Sequence, residues 1–370
     1  MAETFRQWVL AKPLEGSLEP SHFELREVPL PEPAPGQALV RVLLANIHSA
    51  TRKRMAAGGT KVGSTDSTNF ACAVVVKSRD PVFNEGDVIH CQAGWQEYQL
   101  VSSTDAAVGY PAVSELVKTA NGTSSPFLYA FRPALVKMWS PSVLMNVLGT
   151  SGLTAYFGLR ECGPLMPRDQ VAVAGTSGSV GSIAAQLAKI AGSRVIGFAG
   201  GADRCGWIVD TLEIDDCIDY KADDLDAELQ SRFPQGIDFF SDGVGGRVTE
   251  AVLKRLNMNG RMFSYGSAAS LYGESPAAGA PAPTIRRMMG ISEEVEEILR
   301  RRNIKAEAWM VTDFAHERLK AEDDLSRLMF AGRLKPVTNL VEGFEKLPEA
   351  VAGLYRAGRS GKLQVQFGTL

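Results

Sequence analysis

The stretch VAVAGTSGSVGSIAAQLAKIAG, residues 171–192, decides the fold. Four small apolar residues run into glycines at 175, 178 and 181, and a segment of helical period follows. A strand that turns into a helix through Gly175-x-x-Gly178-x-x-Gly181 points the free N–H groups and partial positive charge of the helix N-terminus at a phosphate. Gly178 lets the backbone approach such a ligand, and Gly181 lets helix and strand pack closely. The spacing departs from GxGxxG because Thr176 and Ser177 separate the first two glycines. Glycines kept for packing alone would give the same turn; the βαβ units that follow favour the cradle.

Working outward, strand and helix patterns alternate. SRVIGFAGG (193–201) reads as a strand, CGWIVDTL (205–212) as a helix and CIDY (217–220) as a strand. DLDAELQSRF (224–233) is a helix, IDFFSDG (237–243) a strand, TEAVLKRL (249–256) a helix and RMFSYGS (261–267) a strand. That rhythm predicts a doubly wound parallel sheet. An Ala/Pro/Gly-rich loop at 273–283 interrupts it before the charged helix EEVEEILRRR (293–302). Upstream, ALVRVLLA (38–45), PVFNEGDVIHC (81–91) and GWQEYQLV (94–101) read as strands of a barrel-type domain, with PLPEPAPG (29–36) an extended surface strip. Residues 111–140 show no period and are expected to be loop and short helix. The tail at 340–367 reads strand, helix, strand.

The second strand selects the dinucleotide. An NAD site places an acid at its end, about 20 residues on, to bind the ribose 2′-hydroxyl. Here the strand ends in Ala199-Gly200-Gly201, with no acid until Asp203 and with Arg204 after it. A missing carboxylate and an added cation suit a 2′-phosphate, so NADP(H) is expected.

Composition limits the rest. The 370 residues carry 45% hydrophobic and 22% charged side chains, the balance of a soluble globular protein of two or three domains. A net charge of −3 argues against nucleic acid or a membrane surface as partner. The N-terminus lacks a secretory pattern, and five scattered cysteines suggest neither a disulfide framework nor a zinc cluster. A cytoplasmic location is expected.

VLGTSGLTAYFGL (147–159), the glycine turn, CIDYKADD (217–224), SDGVGG (241–246) and LVEGFEKLPEA (340–350) occur together and in order, with RQWVLAKP (6–13) at the start. The set resembles the zinc-independent medium-chain dehydrogenase/reductases, in the branch of leukotriene B4 dehydrogenase, prostaglandin reductase and alkenal double-bond reductase. The resemblance covers the chain except about 111–140 and 273–300.

The resemblance implies an α/β protein: a GroES-like β-barrel domain (1–145 and 336–370) with a Rossmann NADP(H)-binding domain (146–335) inserted. It implies a homodimer and a small enone or enal substrate, whose C=C bond is reduced by hydride transfer to the β-carbon and protonation of the enolate at the α-carbon. A quinone or ketone reductase on the same scaffold, or a non-catalytic NADPH-binding protein, are the alternatives. The turn that carries a cysteine ligand in zinc members reads Ala45-Asn46-Ile47-His48-Ser49, so no metal is expected. His48 is a candidate donor to the substrate carbonyl, whereas His22, His90 and His316 read as lying in unrelated contexts.

The resemblance also implies cofactor contacts from Thr154, Gly175, Ser177, Gly178, Ser179, Val180 and Gly181. Arg204 and Tyr220 match the family's 2′-phosphate lysine and tyrosine, with Lys221 after Tyr220. Gly243 stands where the family has Asn, before Val244, and Arg359 where it has a cofactor-touching Asn. Tyr272 lies within one residue of the family's tyrosine near the substrate carbonyl and is the second catalytic candidate. Ala50, Tyr265, Trp309 and Met288 are candidate pocket residues, Ala50 in place of a family tyrosine.

Overall fold

The computed structural model describes residues 3–48, 50–56, 58–105, 117–119, 122–124, 126–221, 224–266, 291–307, 311–354 and 360–370. The first part of the chain forms β1 (Thr4–Leu10), β2 (Phe23–Pro29), β3 (Ala38–Asn46), α1 (Ala50–Ala56), β4 (Asn69–Ser78), β5 (Val88–Ala93) and β6 (Tyr98–Val101). The antiparallel pair β7 (Val117–Thr119) and β8 (Gly122–Ser124) follows, then β9 (Tyr129–Ala130), α2 (Pro133–Met138) and α3 (Pro141–Asn146). The middle alternates α4 (Thr150–Glu161), β10 (Gln170–Ala174), α5 (Ser179–Ile190), β11 (Arg194–Ala199), α6 (Ala202–Leu212), β12 (Asp216–Asp219), α7 (Leu225–Arg232), β13 (Ile237–Asp242), α8 (Gly246–Leu253) and β14 (Leu256–Ser264). Beyond it come a helix at Glu293–Arg301, β15 (Lys305–Glu307) and a helix at Arg318–Phe330. The tail returns as β16 (Thr338–Glu342), a helix at Leu347–Gly353, and β17 (Lys362–Gln366). None of the described helices is long and apolar enough to cross a membrane.

The chain divides into two compact units. One holds Met1–Gly149, Thr312–Glu317 and Thr338–Leu370; the other holds Thr150–Val311 and Arg318–Val337.

In the first unit the strands run in the order β16-β17-β3-β4-β5-β9, with β6 also on β3. β3 is buried at eight of its nine positions, with only Arg41 half-buried, and it divides one edge between two partners. Its first half pairs with β6 (Ala38↔Val101 to Arg41↔Tyr98) and its last residues pair with β17 (Leu44↔Gln366 to Asn46↔Gln364). The tail is held to this unit from the N-terminus as well. Trp8 donates its indole N–H to the Phe344 carbonyl at 3.1 Å, and Arg6 bridges Glu97 and Glu345. The expectation of loop and short helix at 111–140 needs correction. Val117–Thr119 pairs antiparallel with Gly122–Ser124, and β9 adds to β5 through Ile89↔Ala130 and His90↔Tyr129.

In the second unit six parallel strands run β12-β11-β10-β13-β14-β15, a doubly wound sheet. Its inner strands are covered on both faces, so they read as unbroken apolar runs. One core joins Ala172, Ile196, Ile218, Phe240 and Met262 of the sheet to Val252 and Val295 of the helices. α5 buries Ala184, Ala185 and Ala188, whose small side chains let the helix lie close.

Candidate functional site

The glycine turn leaves β10 at Ala174 and enters α5 at Ser179. Gly175 has φ +75°, a conformation that strains any other residue. A Cβ on Gly181 would lie 2.3 Å from the Gly175 carbonyl oxygen, so that glycine is required for the turn and helix to close on each other. At Gly178 a Cβ would meet only the Gly175 oxygen, at 3.1 Å, and the other side of the residue is open. Gly178 is the N-cap, no side chain caps α5, and the first turn carries Ser179, Val180 and Gly181. An uncapped N-terminus on a 12-residue helix, approached through glycine, fits a pyrophosphate.

The odd spacing has a structural cause. Thr176 turns inward and is fully buried; its hydroxyl donates to the Val173 carbonyl at 2.5 Å and accepts from the Phe198 N–H at 2.9 Å. The residue that lengthens the first interval therefore ties β10 to β11. Gly197 answers it, since a Cβ there would stand 2.8 Å from the Thr176 hydroxyl.

At the ends of β11 and β12 two side chains meet over Gly200. A Cβ on Gly200 would lie 2.9 Å from the Tyr220 phenol oxygen and 2.8 Å from Lys221 Cε. Arg204 stands in the first turn of α6, just past Gly201, which has φ +106°. Asp219 joins the two strand ends: its Oδ1 accepts from the Gly201 N–H at 2.8 Å and the Lys221 N–H at 3.0 Å. Those backbone donors hold its carboxyl below the usual range. Arg204 and Lys221 form no ion pair among the described residues, so the turns after β11 and β12 carry two cations and a phenol, residue types suited to a phosphate dianion.

The third turn follows β13. Asp242 is fully buried and accepts from the N–H groups of Val244 (2.9 Å) and Gly245 (3.2 Å) and from the Thr249 hydroxyl (2.9 Å). Burial pushes its carboxyl up, against those donors. It was not singled out from sequence, although Asp before Gly-Val-Gly-Gly is the signal of an Asx-type turn. Val244 Cγ2 comes within 3.4 Å of the Cβ position of Gly175, so the first and third turns touch. Tyr265 lies over both: its hydroxyl donates to the Ala174 carbonyl at 3.0 Å and its ring covers Gly243. Thr154 sits on α4, which packs on α5, and spends its hydroxyl on the Thr150 carbonyl at 2.7 Å.

The first unit holds a separate polar interior. The Ile47 N–H donates to the Leu363 carbonyl at 3.0 Å, so the β3–β17 pairing runs on toward His48 and Lys362. Lys362 is buried and donates to the Ile47 carbonyl at 3.2 Å; burial pushes its ammonium down to about 8. Deeper in, Asn46 donates to the Met145 carbonyl at 3.1 Å and accepts from Gln364 Nε2 at 3.0 Å, while Ser142 Oγ donates to Gln364 Oε1 at 2.6 Å. His48 sets its ring edge-on to Phe70, with centroids 5.1 Å apart. Burial first, then the charges of Lys362, His90 and Arg54, hold its pKa well below the ordinary value. It is a neutral imidazole at neutral pH, able to donate one hydrogen bond to a developing oxyanion. His90 is not in an unrelated context. It packs on the same Phe70 ring at 5.1 Å, and its Nδ1 donates to the Phe127 carbonyl at 2.7 Å.

Among the expected site residues, Tyr272, Trp309, Met288 and Arg359 lie outside the described residues, as does the loop 273–283. Ala50 opens α1, with its side chain likewise outside. Ser177, Val180, Val244 and the glycines gather on one end of the parallel sheet, with Arg204 and Tyr220 at its β11–β12 side. His48 belongs to the other unit. Among the described residues no group of three or more His, Cys, Asp or Glu side chains could hold a metal ion.

Residues 6–108 match the family described as the N-terminal domain of oxidoreductase, and residues 179–300 the family described as zinc-binding dehydrogenase. The NADPH-dependent curcumin reductase of Escherichia coli is 29% identical over 373 residues, covering 98% of this chain and 96% of that protein. The NADP(+)-dependent 2-alkenal reductase of Nicotiana tabacum is 26% identical over 367 residues, covering 96% of each. CurA from Vibrio vulnificus, solved in complex with NADPH, superposes with a TM-score of 0.78 at 28% identity, covering 99% of this chain and 100% of that one. A mixed sheet, a doubly wound parallel sheet with a glycine cradle, and likenesses along nearly the whole chain define a medium-chain dehydrogenase/reductase. Within that class the chain belongs to the zinc-independent branch that includes the curcumin and alkenal reductases.

Proposed function

We propose that this protein is an NADPH-dependent reductase of the C=C bond in α,β-unsaturated carbonyl compounds. The observation that carries the cofactor half of this reading is two cations in the turns after β11 and β12, Lys221 packed with Tyr220 against the Gly200 position and Arg204 in the first turn of α6. A 2′-phosphate there would take hydrogen bonds from both, while a bare ribose hydroxyl would leave them unused. The acceptor half is supported by relatives named for NADPH-dependent reduction of curcumin and of 2-alkenals.

Bound NADPH supplies a hydride, which goes to the β-carbon. The chain's own work is to hold the cofactor and to stabilise the oxygen that gains charge. Gly178 and the N-terminus of α5 bind the pyrophosphate; Arg204, Lys221 and Tyr220 bind the 2′-phosphate. His48, a neutral imidazole, would donate to the substrate carbonyl, most strongly when the enolate charge appears. Tyr272 is the second donor candidate. The α-carbon then takes a proton.

The test is a panel under NADPH or NADH: a linear 2-alkenal, an aryl enone, a bulky cyclic enone, a quinone and a saturated ketone, with products identified by mass and NMR. The reading expects enone turnover to the saturated carbonyl, with NADPH favoured. Turnover of the quinone or ketone alone would overturn it.

A further inference from the structure

Three clusters lie outside the roles already assigned: the Tyr156–Lys320–Asp324 group on α4 and the helix Arg318–Phe330, the adjoining thiols of Cys205 and Cys217, and the Tyr265 ring over the strand ends of the second unit. The third is built from the most geometry. The Tyr265 N–H donates to the Asp242 carbonyl at 2.9 Å and the phenol donates to the Ala174 carbonyl at 3.0 Å. The side chain therefore spans from the end of β14, past the end of β13, to the end of β10. These are three neighbouring parallel strands.

Gly243 makes the crossing possible. A Cβ on that residue would stand 2.4 Å from Tyr265 Cε2, 2.7 Å from Cζ and 2.8 Å from the phenol oxygen. The ring thus occupies the side-chain space of position 243. Its oxygen also reaches within 3.7 Å of the Cβ position of Gly175, next to Val244 Cγ2. In a doubly wound sheet, ligands lie across the carboxyl ends of the strands, beside the first strand. Here β10 is flanked by β11, which leads to the 2′-phosphate group, and by β13, whose end is crossed by Tyr265. The half of the cofactor that extends past β13 must pass this ring.

We propose that Tyr265, interlocked with Gly243 and pinned to the Ala174 carbonyl, is a cofactor-positioning residue that forms the wall for the nicotinamide–ribose half of NADP(H), rather than a wall of the substrate pocket. This rests on the cofactor reading above. Burial pushes the phenol well above its ordinary pKa, so it remains a protonated donor throughout the working range. The pinned ring is preorganised, and it costs the complex little rotamer entropy.

The test is a double-mutant cycle on Gly243→Ala and Tyr265→Ala, with Tyr265→Phe as the conservative variant. Affinities are read by fluorescence titration for NADPH and for the adenosine bisphosphate fragment that carries the 2′-phosphate but no nicotinamide half. Melting curves confirm folding. Gly243→Ala is expected to weaken NADPH roughly tenfold when Tyr265 is present, and less than about twofold in the Tyr265→Ala background, where the space is free. Tyr265→Phe should retain most of the affinity, and fragment affinity should stay within about twofold throughout. An additive cycle, or equal weakening of NADPH and fragment, would overturn the inference while leaving the cofactor reading intact. So would unchanged NADPH affinity with a raised KM for the carbonyl substrate. Wild-type protein that fails to bind NADPH would overturn both.

Discussion

The two units solve the problem of a polar site in opposite ways. In the second, the dinucleotide cradle is made of backbone. Three turns at 175–181, 200–201 and 243–246 carry glycines, and at Gly181, Gly200 and Gly243 an added Cβ would collide with a neighbour. In the first, the polar interior is made of side chains. Lys362 is buried, His48 is half-buried against Phe70, and Asn46, Gln364 and Ser142 satisfy one another. A backbone cradle is cheap to desolvate but intolerant of any added carbon. A buried cation is tolerant of shape but costs stability at every pH where it stays charged.

The largest expected effect is therefore steric and lies in the cradle. Gly181→Val places a side chain 2.3 Å from the Gly175 oxygen, a backbone atom that cannot turn aside. NADPH affinity should fall by at least about a hundredfold, roughly 3 kcal/mol, in a fluorescence titration. Near-normal binding would mean the turn is not held as described.

The next effect has the opposite sign and lies in the first unit. Lys362 has a pKa of about 8 in the folded protein and 10.5 as its ordinary value, so between those values the unfolded chain holds more protons. Wild-type stability should rise as pH climbs from about 8 toward 10.5, with the penalty fully present below about 8. Lys362→Met should raise the unfolding free energy at neutral pH by up to about 3 kcal/mol, and the gain should vanish above about pH 10. Urea titrations on either side of that window decide it; destabilisation at both pH values would show that the bond to the Ile47 carbonyl outweighs the desolvation.

Smaller effects separate the parts of the cradle. Arg204→Ala should weaken NADPH by about tenfold to a hundredfold and leave NADH unchanged, the loss of charged hydrogen bonds to a 2′-phosphate. Equal loss for both cofactors would assign Arg204 to the helix alone. Thr176→Val should cost about 1–2 kcal/mol of stability, because it strands the Phe198 N–H in the core, with a lesser effect on cofactor affinity.

The same contrast explains what was legible in the sequence. The cradle is local: each turn is spelled within a few residues, and its strand and helix follow at once, so the parallel sheet and the strand–turn–helix at 171–192 could be read directly, while Tyr220, Gly243 and Val244 came only from the family resemblance. What could not be read is who lies opposite whom. Asn46 and Gln364 are 318 positions apart, and only the pairing of β3 with β17 brings them together. Lys362 lies in the tail strand, and its burial follows from the pairing of β17 with β3 rather than from any local pattern. His90 was set apart from His48 because nothing in either segment reports the shared Phe70 ring. Thr176 read as a spacer because its partners, Val173 and Phe198, lie on two different strands. The interlock of Tyr265 with Gly243 was not legible either, because the two meet only once the ends of β13 and β14 are side by side.

The most direct test of the account is turnover of an enone with NADPH carrying deuterium at the transferring position, with the label located in the product by NMR. The account predicts a saturated carbonyl compound with deuterium at the β-carbon. Deuterium on a carbinol carbon, with the double bond intact, would contradict it and make the protein a carbonyl reductase on this scaffold.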